Sequence, residues 1–177
     1  MIPTLDGDRI RIRPHRTSDR DALFGLYSDP ALMRYWGFPP WTEVAQADAY
    51  LAPLLDGPAH YPWAIARRDD DVLVGTATLF AIRLDQLRAE LGYLLAAAEQ
   101  GKGLAAEATR LVLRFAFEQL GLERIEADVD PRNLPSCRLL ERLGFQREGL
   151  LRARWRVAAE VSDTAMFGLL RGELTAG

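Results

Sequence analysis

Cysteine is nearly absent from this 177-residue chain, in which Cys137 is the single example. One cysteine excludes an intrachain disulfide, so we expect the chain to work in a reducing compartment, the cytoplasm. Histidine is also scarce, because His15 and His60 are the two in the sequence. Both stand apart from the motifs described below, and we expect them to be ordinary surface residues.

Neither sign of charge is in large excess, because 22 Lys and Arg residues stand against 25 Asp and Glu residues, a formal net charge of -3. This balance gives no electrostatic support to nucleic-acid binding. Long apolar runs are absent too, since none approaches the roughly 20 residues that cross a bilayer. We therefore expect no nucleic-acid partner and no membrane partner.

Helix-like and strand-like segments are interspersed along the chain, with no repeat, low-complexity tract or linker. Ser18, followed by acidic residues, is the predicted N-cap of a first helix, which ends at about Tyr27. Polar turns between the middle strands predict hairpins, so we expect an α/β (α+β mixed) fold with helices on a mixed sheet. Periodicity predicts strands over 9–13, 61–67, 72–82, 88–95, 124–130, 145–157 and 161–170, and later helices over 102–120 and 134–143.

The most informative segment is 99–107, Glu-Gln-Gly-Lys-Gly-Leu-Ala-Ala-Glu. Gly101 and Gly103 stand directly before the long predicted helix and after an apolar strand. Glycine lets the backbone approach a bulky anion closely, and the free N–H groups at a helix start can hold that anion. The segment therefore predicts binding of a compound that carries phosphate.

Two common phosphate-binding loops do not match this segment well. The nucleoside triphosphate loop requires Ser or Thr directly after its lysine, whereas Lys102 lies between two glycines. The dinucleotide fingerprint requires a third glycine where this chain has Ala106. A third pattern matches: Gln100-x-x-Gly103-x-Ala105 resembles the Gln/Arg-x-x-Gly-x-Gly/Ala motif of the GCN5-related N-acetyltransferase (GNAT) superfamily.

The resemblance to this superfamily covers about Thr4 to Leu170, and we expect one domain, 4–172. Residues 90–95 resemble the family's fourth strand, and 124–127 resemble its fifth. The run from Asn133 to Phe145 resembles the branch that acetylates the N-terminal amines of ribosomal proteins. The resemblance implies a mostly antiparallel mixed sheet of about seven strands with splayed central strands, and acetyl-CoA as the acetyl donor.

The resemblance also implies where acetyl-CoA would bind. The backbone N–H groups of the loop would hold the pyrophosphate, and the Lys102 side chain would point to solvent or to the 3′-phosphate. The pantetheine arm would pair with the parted edge of the fourth strand, where a backbone N–H would polarise the thioester carbonyl. The cofactor-binding residues expected on this basis are Leu94, Leu95, Gln100, Gly101, Lys102, Gly103, Leu104, Ala105 and Asn133.

Catalysis would be direct attack of a neutral amine on the thioester in a ternary complex. The resemblance implies Ser136 as the proton donor near the sulfur, since the family's Asn-x-x-Ser motif, here Asn133 to Ser136, places a hydroxyl there. Many relatives have a tyrosine seven residues after the Asn, but this chain has Leu140, which cannot donate a proton. Glu90 is the first candidate for the general base, with Glu126 and Asp128 as alternatives. Cys137, next to the proposed site, is expected to be a small buried thiol, with a covalent acyl-cysteine route as the alternative.

The acceptor is expected to be a primary amine, first of all a protein N-terminus. Two alternatives remain open: a small amine of the aminoglycoside or polyamine type, and a non-catalytic acyl-CoA-binding module. Relatives of this branch are often dimeric, so a homodimer is a further expectation. Other candidates for the acceptor side are the aromatic residues Trp36, Phe38, Trp41 and Trp155, and the alternating Arg152, Arg154 and Arg156, expected on one side of a strand.

Overall fold

The structure, a computed structural model, describes residues 2–56 and 60–175. A 3₁₀ turn precedes the first helix and another precedes the fourth, and a π-helical turn, Phe115–Gln119, follows the fourth helix. The helices are α1 (Arg20–Tyr27), α2 (Pro30–Met33), α3 (Ala45–Leu55), α4 (Leu104–Arg114) and α5 (Leu134–Leu143). The strands are β1 (Leu5–Asp6), β2 (Ile10–Arg13), β3 (Tyr61–Arg67), β4 (Leu73–Arg83), β5 (Arg88–Leu95), β6 (Arg124–Val129), β7 (Gln146–Val157) and β8 (Glu160–Leu170).

These strands form one sheet in the order β1-β2-β3-β4-β5-β6-β8-β7. Neighbouring strands are antiparallel, except that β5 and β6 are parallel. The prediction of a mostly antiparallel mixed sheet is confirmed. The sheet has eight strands and not about seven, because Leu5 and Asp6 pair with Ile12 and Arg11 to form a short edge strand.

Helices cover both faces of the sheet, and each face has its own apolar cluster. The amphipathic helices α4 and α5 pack on one face, where they bury Ala108, Val112 and Leu140 completely. Helices α1 to α3 pack on the other face around Leu23 and Tyr27. Strand side chains alternate between the two faces, so β5 contributes to both clusters and is buried in the middle of the molecule.

The parallel strands β5 and β6 pair at one end and part at the other. They form three residue pairs, of which the last is Glu90 with Glu126. Beyond that pair β5 continues to Leu95 and β6 to Val129 without pairing to each other. Because the strands are parallel, α4 and α5 both begin beyond this parted end. We call this opening the gap.

One local prediction was wrong, and a second assumed a regularity that β7 lacks. Ser18 does not cap α1, because Thr17–Asp19 forms a 3₁₀ turn and the Asp19 carboxylate instead accepts the backbone N–H of Arg16 at 2.8 Å. The expectation that arginines 152, 154 and 156 share one side of β7 assumed a regular strand, and it stays a prediction. A bulge between Leu151 and Trp155, with Ala153 at a φ of +52°, interrupts the pleat there.

Two findings concern only the residues that the structure describes. None of their helices combines the length and the apolar character required to span a bilayer. No three His, Cys, Asp or Glu side chains among them are grouped as a metal site would require.

Candidate active site

A short loop that contains Gly101 and Gly103 precedes α4, after the 3₁₀ turn that follows β5. Gly101 and Gly103 have φ angles of +75° and +80°, a left-handed conformation that glycine adopts without strain. Among the described residues, the backbone N–H groups of residues 101–103 donate no hydrogen bond of good geometry. The first N–H groups of α4 also lack intrahelical partners, as at every helix start. Together they form an arc of free donors at the positive end of the helix dipole.

Side chains hold this loop in place. The Gln100 amide donates to the Leu95 carbonyl at 3.0 Å, and the Gln100 backbone N–H donates to Ala97 at 3.2 Å. Gln100 therefore ties the loop to the end of β5, and its own N–H does not belong to the free arc. Arg9 donates to the Lys102 carbonyl at 2.6 Å and so supports the loop from outside.

The Lys102 side chain is 55% exposed to solvent, and its Nζ donates to Glu99 at 3.0 Å. Glu99 also accepts from Arg67 at 3.0 Å. The hydrogen bond from Lys102, helped by the one from Arg67, lowers the pKa of Glu99. Lys102 thus has an intramolecular partner at the foot of the loop.

Backbone alternation determines which groups of β5 face the gap. The Ala96 N–H donates to Val74 of β4 at 2.8 Å, so every second residue back from Ala96 also directs its backbone groups toward β4. Leu94 belongs to that set, whereas Tyr93 and Leu95 direct theirs toward the gap. Since the Leu95 carbonyl already accepts from Gln100, the Leu95 N–H is the free group there. This geometry favours Leu95 over Leu94 as a backbone donor in the gap.

The start of α5 brings a hydroxyl group to the other side of the gap. Asn133 caps the helix, and its side-chain oxygen accepts the Ser136 N–H at 3.3 Å. The Ser136 hydroxyl lies 2.7 Å from the hydroxyl of Tyr93, which extends from β5. Leu140 is completely buried and carries no proton donor. Cys137 is also buried, and burial raises the pKa of its thiol, as expected of a packed side chain and not of a nucleophile.

Tyr93 was missed by the sequence analysis as a residue of the site. Its position between Leu91 and Leu95 suggests a packing role, because these residues share a face of β5. Burial raises the pKa of Tyr93 to about 12, which keeps the phenol protonated. The sequence did contain a signal for Tyr93, because its hydroxyl group lies on the strand that was expected to separate from its neighbour.

Three carboxylates lie on the opposite face of β5 and β6, and their partners distinguish them. Glu126 accepts from Arg88 at 3.1 Å and from Arg124 at 2.8 Å, so two arginines neutralise it. Asp128 accepts the indole N–H of Trp155 at 3.1 Å.

Glu90 has no hydrogen-bond partner among the side chains that the structure describes. Burial, and then the charges of Asp128 and Glu126, raise its pKa. Of the three carboxylates, Glu90 is therefore the one available to accept a proton.

The aromatic residues separate into core and surface. Trp41 is buried, and Trp36 and Phe38 pack with it around Tyr27 beneath α1. Trp155 is 38% exposed, and its ring passes 3.0 Å from where a Cβ on Gly37 would lie. The indole thus connects the β7–β8 hairpin to the α2–α3 loop beside Asp128.

The prediction that His15 lies at the surface was wrong. Its side chain is buried, with Asp19 at 3.9 Å and the ring of Tyr50 packed edge-on. The residue lies two positions after the end of β2, and Tyr50 of α3 packs against it, an arrangement that no local pattern indicates. Both ring nitrogens lack a hydrogen-bond partner in the described part of the chain.

Known proteins share this architecture. A family model described as "Acetyltransferase (GNAT) domain" matches residues 9–146. An uncharacterized N-acetyltransferase, p20 of Bacillus licheniformis, is 37% identical over 176 residues, which cover 97% of this chain and 98% of that protein. The spermidine N(1)-acetyltransferase of Escherichia coli K12 is 28% identical over 144 residues, which cover 80% of this chain and 75% of that protein.

The fold is also found in solved structures. The crystal structure of a spermidine N-acetyltransferase from Vibrio cholerae, in complex with CoA and spermine, superposes with a TM-score of 0.84 at 22% identity, over 94% of this chain and 98% of that one. GNAT enzymes use acetyl-CoA as the acetyl donor. From the family match and the relatives, together with the parted strands and the donor loop, it follows that this chain belongs to the GNAT family of N-acetyltransferases.

Proposed function

We propose that this enzyme transfers the acetyl group of acetyl-CoA to a primary amine of a small cationic molecule by direct attack in a ternary complex. The observation that carries the proposal is the gap. Free backbone donors lie at its open end, and the hydroxyl groups of Tyr93 and Ser136 line one side of it. The carboxylate of Glu90 lies on the opposite face of the sheet. A thioester and an amine can therefore meet there from opposite faces.

The residues present fit the diphosphate of CoA. The free N–H groups from Gly101 to Ala105 offer several donors to one anion, and the helix dipole favours negative charge there. Gln100 and Lys102 contribute by holding the loop, through their bonds to Leu95 and Glu99. Leu104 contributes the first N–H of α4.

The parted edge of β5 fits the pantetheine arm, because an extended amide chain can pair with an open strand edge. Asn133 stands across the gap from that edge, at the start of α5. The N–H of Leu95 would donate to the thioester carbonyl as negative charge develops on its oxygen. This step requires no side chain at residue 94 or 95.

In the transfer, the amine nitrogen forms a bond to the carbonyl carbon and the carbon–sulfur bond breaks. The proton that the amine loses goes to Glu90, directly or through a water molecule, and then to solvent. The departing thiolate accepts a hydrogen bond from Ser136 and gains its proton from solvent on release. The sum is one amide and one free thiol.

The acceptor face favours a cation. Glu90 and Asp128 place two carboxylates beside the gap, and the indole of Trp155 lies next to them. An ammonium group is attracted by carboxylates. The Trp155 ring already has a cation beside it, because the Arg154 guanidinium lies 5.4 Å from the ring centroid. The relatives named for spermidine acetylation support a polyamine as the class of acceptor.

An acceptor panel tests the proposal, with free thiol measured as acetyl-CoA is consumed. We expect kcat/KM for spermidine to exceed that for an alanine-ended peptide and for an aminoglycoside by about tenfold or more. Asp128→Asn should raise the KM for spermidine and leave the KM for acetyl-CoA unchanged.

Three results of the panel would contradict the proposal. Thiol release with the peptide alone would identify an N-terminal acetyltransferase, and release with the aminoglycoside alone would identify that substrate class. Binding of CoA without thiol release from any amine would identify a non-catalytic module.

A further inference from the structure

We propose that Tyr93 is a positioning residue that donates a hydrogen bond to Ser136 Oγ and so directs the Ser136 hydroxyl proton toward the thioester sulfur. This role rests on the proposed acetyl transfer. It assigns a function to a tyrosine on β5 in a chain whose α5 has Leu140 where many relatives carry a tyrosine.

The geometry joins two elements that are otherwise separate at this end of the sheet. Tyr93 and Ser136 are 43 residues apart in sequence, and their hydroxyl oxygens are 2.7 Å apart across the gap. Asn133 holds the Ser136 backbone at the start of α5, so the serine cannot move away freely. Tyr93 is the one side chain of the described residues that bonds the Ser136 hydroxyl.

Acidity determines the direction of this hydrogen bond. A phenol is a stronger acid than an alkyl hydroxyl, so the tyrosine is the better donor and the serine oxygen the better acceptor. Burial raises the pKa of Tyr93 to about 12, so the phenol keeps its proton throughout the neutral range. If Tyr93 donates, the serine proton has no partner among the described residues and is available to the sulfur.

The chemistry requires a fixed donor and not a strong acid. A serine hydroxyl is a far weaker acid than a thiol, so complete proton transfer from Ser136 to the thiolate is unfavourable. A hydrogen bond that strengthens as charge develops on sulfur still lowers the barrier. Tyr93 keeps that bond aimed, and it neither gains nor loses a proton over the cycle.

Tyr93→Phe removes the hydroxyl and leaves the ring. We expect kcat to fall about tenfold, because the serine remains present but is less well aimed at the charge that develops on sulfur. The KM values for acetyl-CoA and for the amine should stay within about twofold of wild type. In a Ser136→Ala background the same change should have no further effect on kcat.

Tyr61→Phe is the matched control. Tyr61 is half-buried on β3, stacks on Trp63, and has no hydrogen-bond partner for its hydroxyl in the described part of the chain. The kcat of Tyr61→Phe should equal that of the wild type. A wild-type kcat for Tyr93→Phe, or an equal loss in both the wild-type and the Ser136→Ala backgrounds, would overturn the proposal.

A second measurement requires no acceptor, and therefore separates this inference from the proposed function. The thiol pKa of bound CoA is followed by the ultraviolet absorbance of its thiolate as pH is raised. The aimed serine proton stabilises the thiolate, so the pKa of the bound thiol should be lower in the wild type than in Tyr93→Phe. Equal pKa values would contradict the role of Tyr93, even if no amine in the panel released thiol.

Discussion

Replacing Glu90 by glutamine keeps the shape of the side chain and removes its ability to accept a proton. Glu90 has no partner among the described side chains, and burial together with the charges of Asp128 and Glu126 raises its pKa above the usual 4.5. A positioned general base contributes about 10²–10⁴-fold to rate. Because Glu90 is only half-buried, water can partly replace it, and we expect the lower end of that range, a loss of about 100-fold in kcat.

The assay is kcat measured across pH with saturating acetyl-CoA and spermidine. The active form of Glu90 is the carboxylate, so the wild-type rate should rise with pH through a pKa above 4.5 and then level off. This rise of kcat at low pH, the acid limb of the profile, should be absent in Glu90→Gln. The rise in kcat/KM that reflects deprotonation of the amine should remain in both proteins.

Glu126→Gln is the control for the Glu90 experiment, since Arg88 and Arg124 already neutralise that carboxylate on the same face. Glu126→Gln should keep the acid limb. Melting temperatures should be recorded for the wild type, Glu90→Gln and Glu126→Gln. An acid limb unchanged in Glu90→Gln would refute the reasoning and move the base to another residue.

Three further predictions concern cofactor binding, stability and acceptor binding. Gly103→Glu should abolish acetyl-CoA binding, measured by calorimetry, because the change adds an anion to the free N–H groups that would hold the diphosphate. The fold should be retained, because a side chain at a φ of +80° lowers the free energy of unfolding by only about 1–2 kcal/mol. The Arg9 side chain, which the new Cβ would crowd, can move. Burial lowers the pKa of His15 to about 4, so the unfolded chain takes up a proton below pH 6.5 that the folded chain excludes. Chemical denaturation should then show up to about 3 kcal/mol of stability lost between pH 6.5 and 4, and His15→Leu should reduce this loss. Trp155→Leu should raise the KM for spermidine severalfold without changing the KM for acetyl-CoA, and equal shifts in both would place Trp155 outside the acceptor site.

Local patterns were sufficient for many elements of the fold. Strand β5 and helix α5 have the bounds that were predicted, because each is delimited by its own sequence. Asn133 caps the start of α5, and Gly144, with a φ of +102°, ends it. The parted strands followed from the family resemblance and not from periodicity, and the structure shows them directly in the short β5–β6 pairing.

The features that were missed depend on contacts between distant segments. The bond between Tyr93 and Ser136 joins residues that no local spacing relates. The burial of His15 arises from the packing of α3 over the end of β2. The bulge at Ala153 requires a left-handed alanine, which composition does not indicate. The roles of Glu90 and Ser136 remain predictions, because geometry shows their availability and not their use.

The central claim is that the donor loop and the gap hold CoA. Isothermal titration of the folded protein with CoA and with acetyl-CoA tests this claim most directly. The account predicts saturable heat with one equivalent of either ligand, and none with ATP or NAD at the same concentration. A folded protein that gives no heat with CoA or acetyl-CoA would contradict the account.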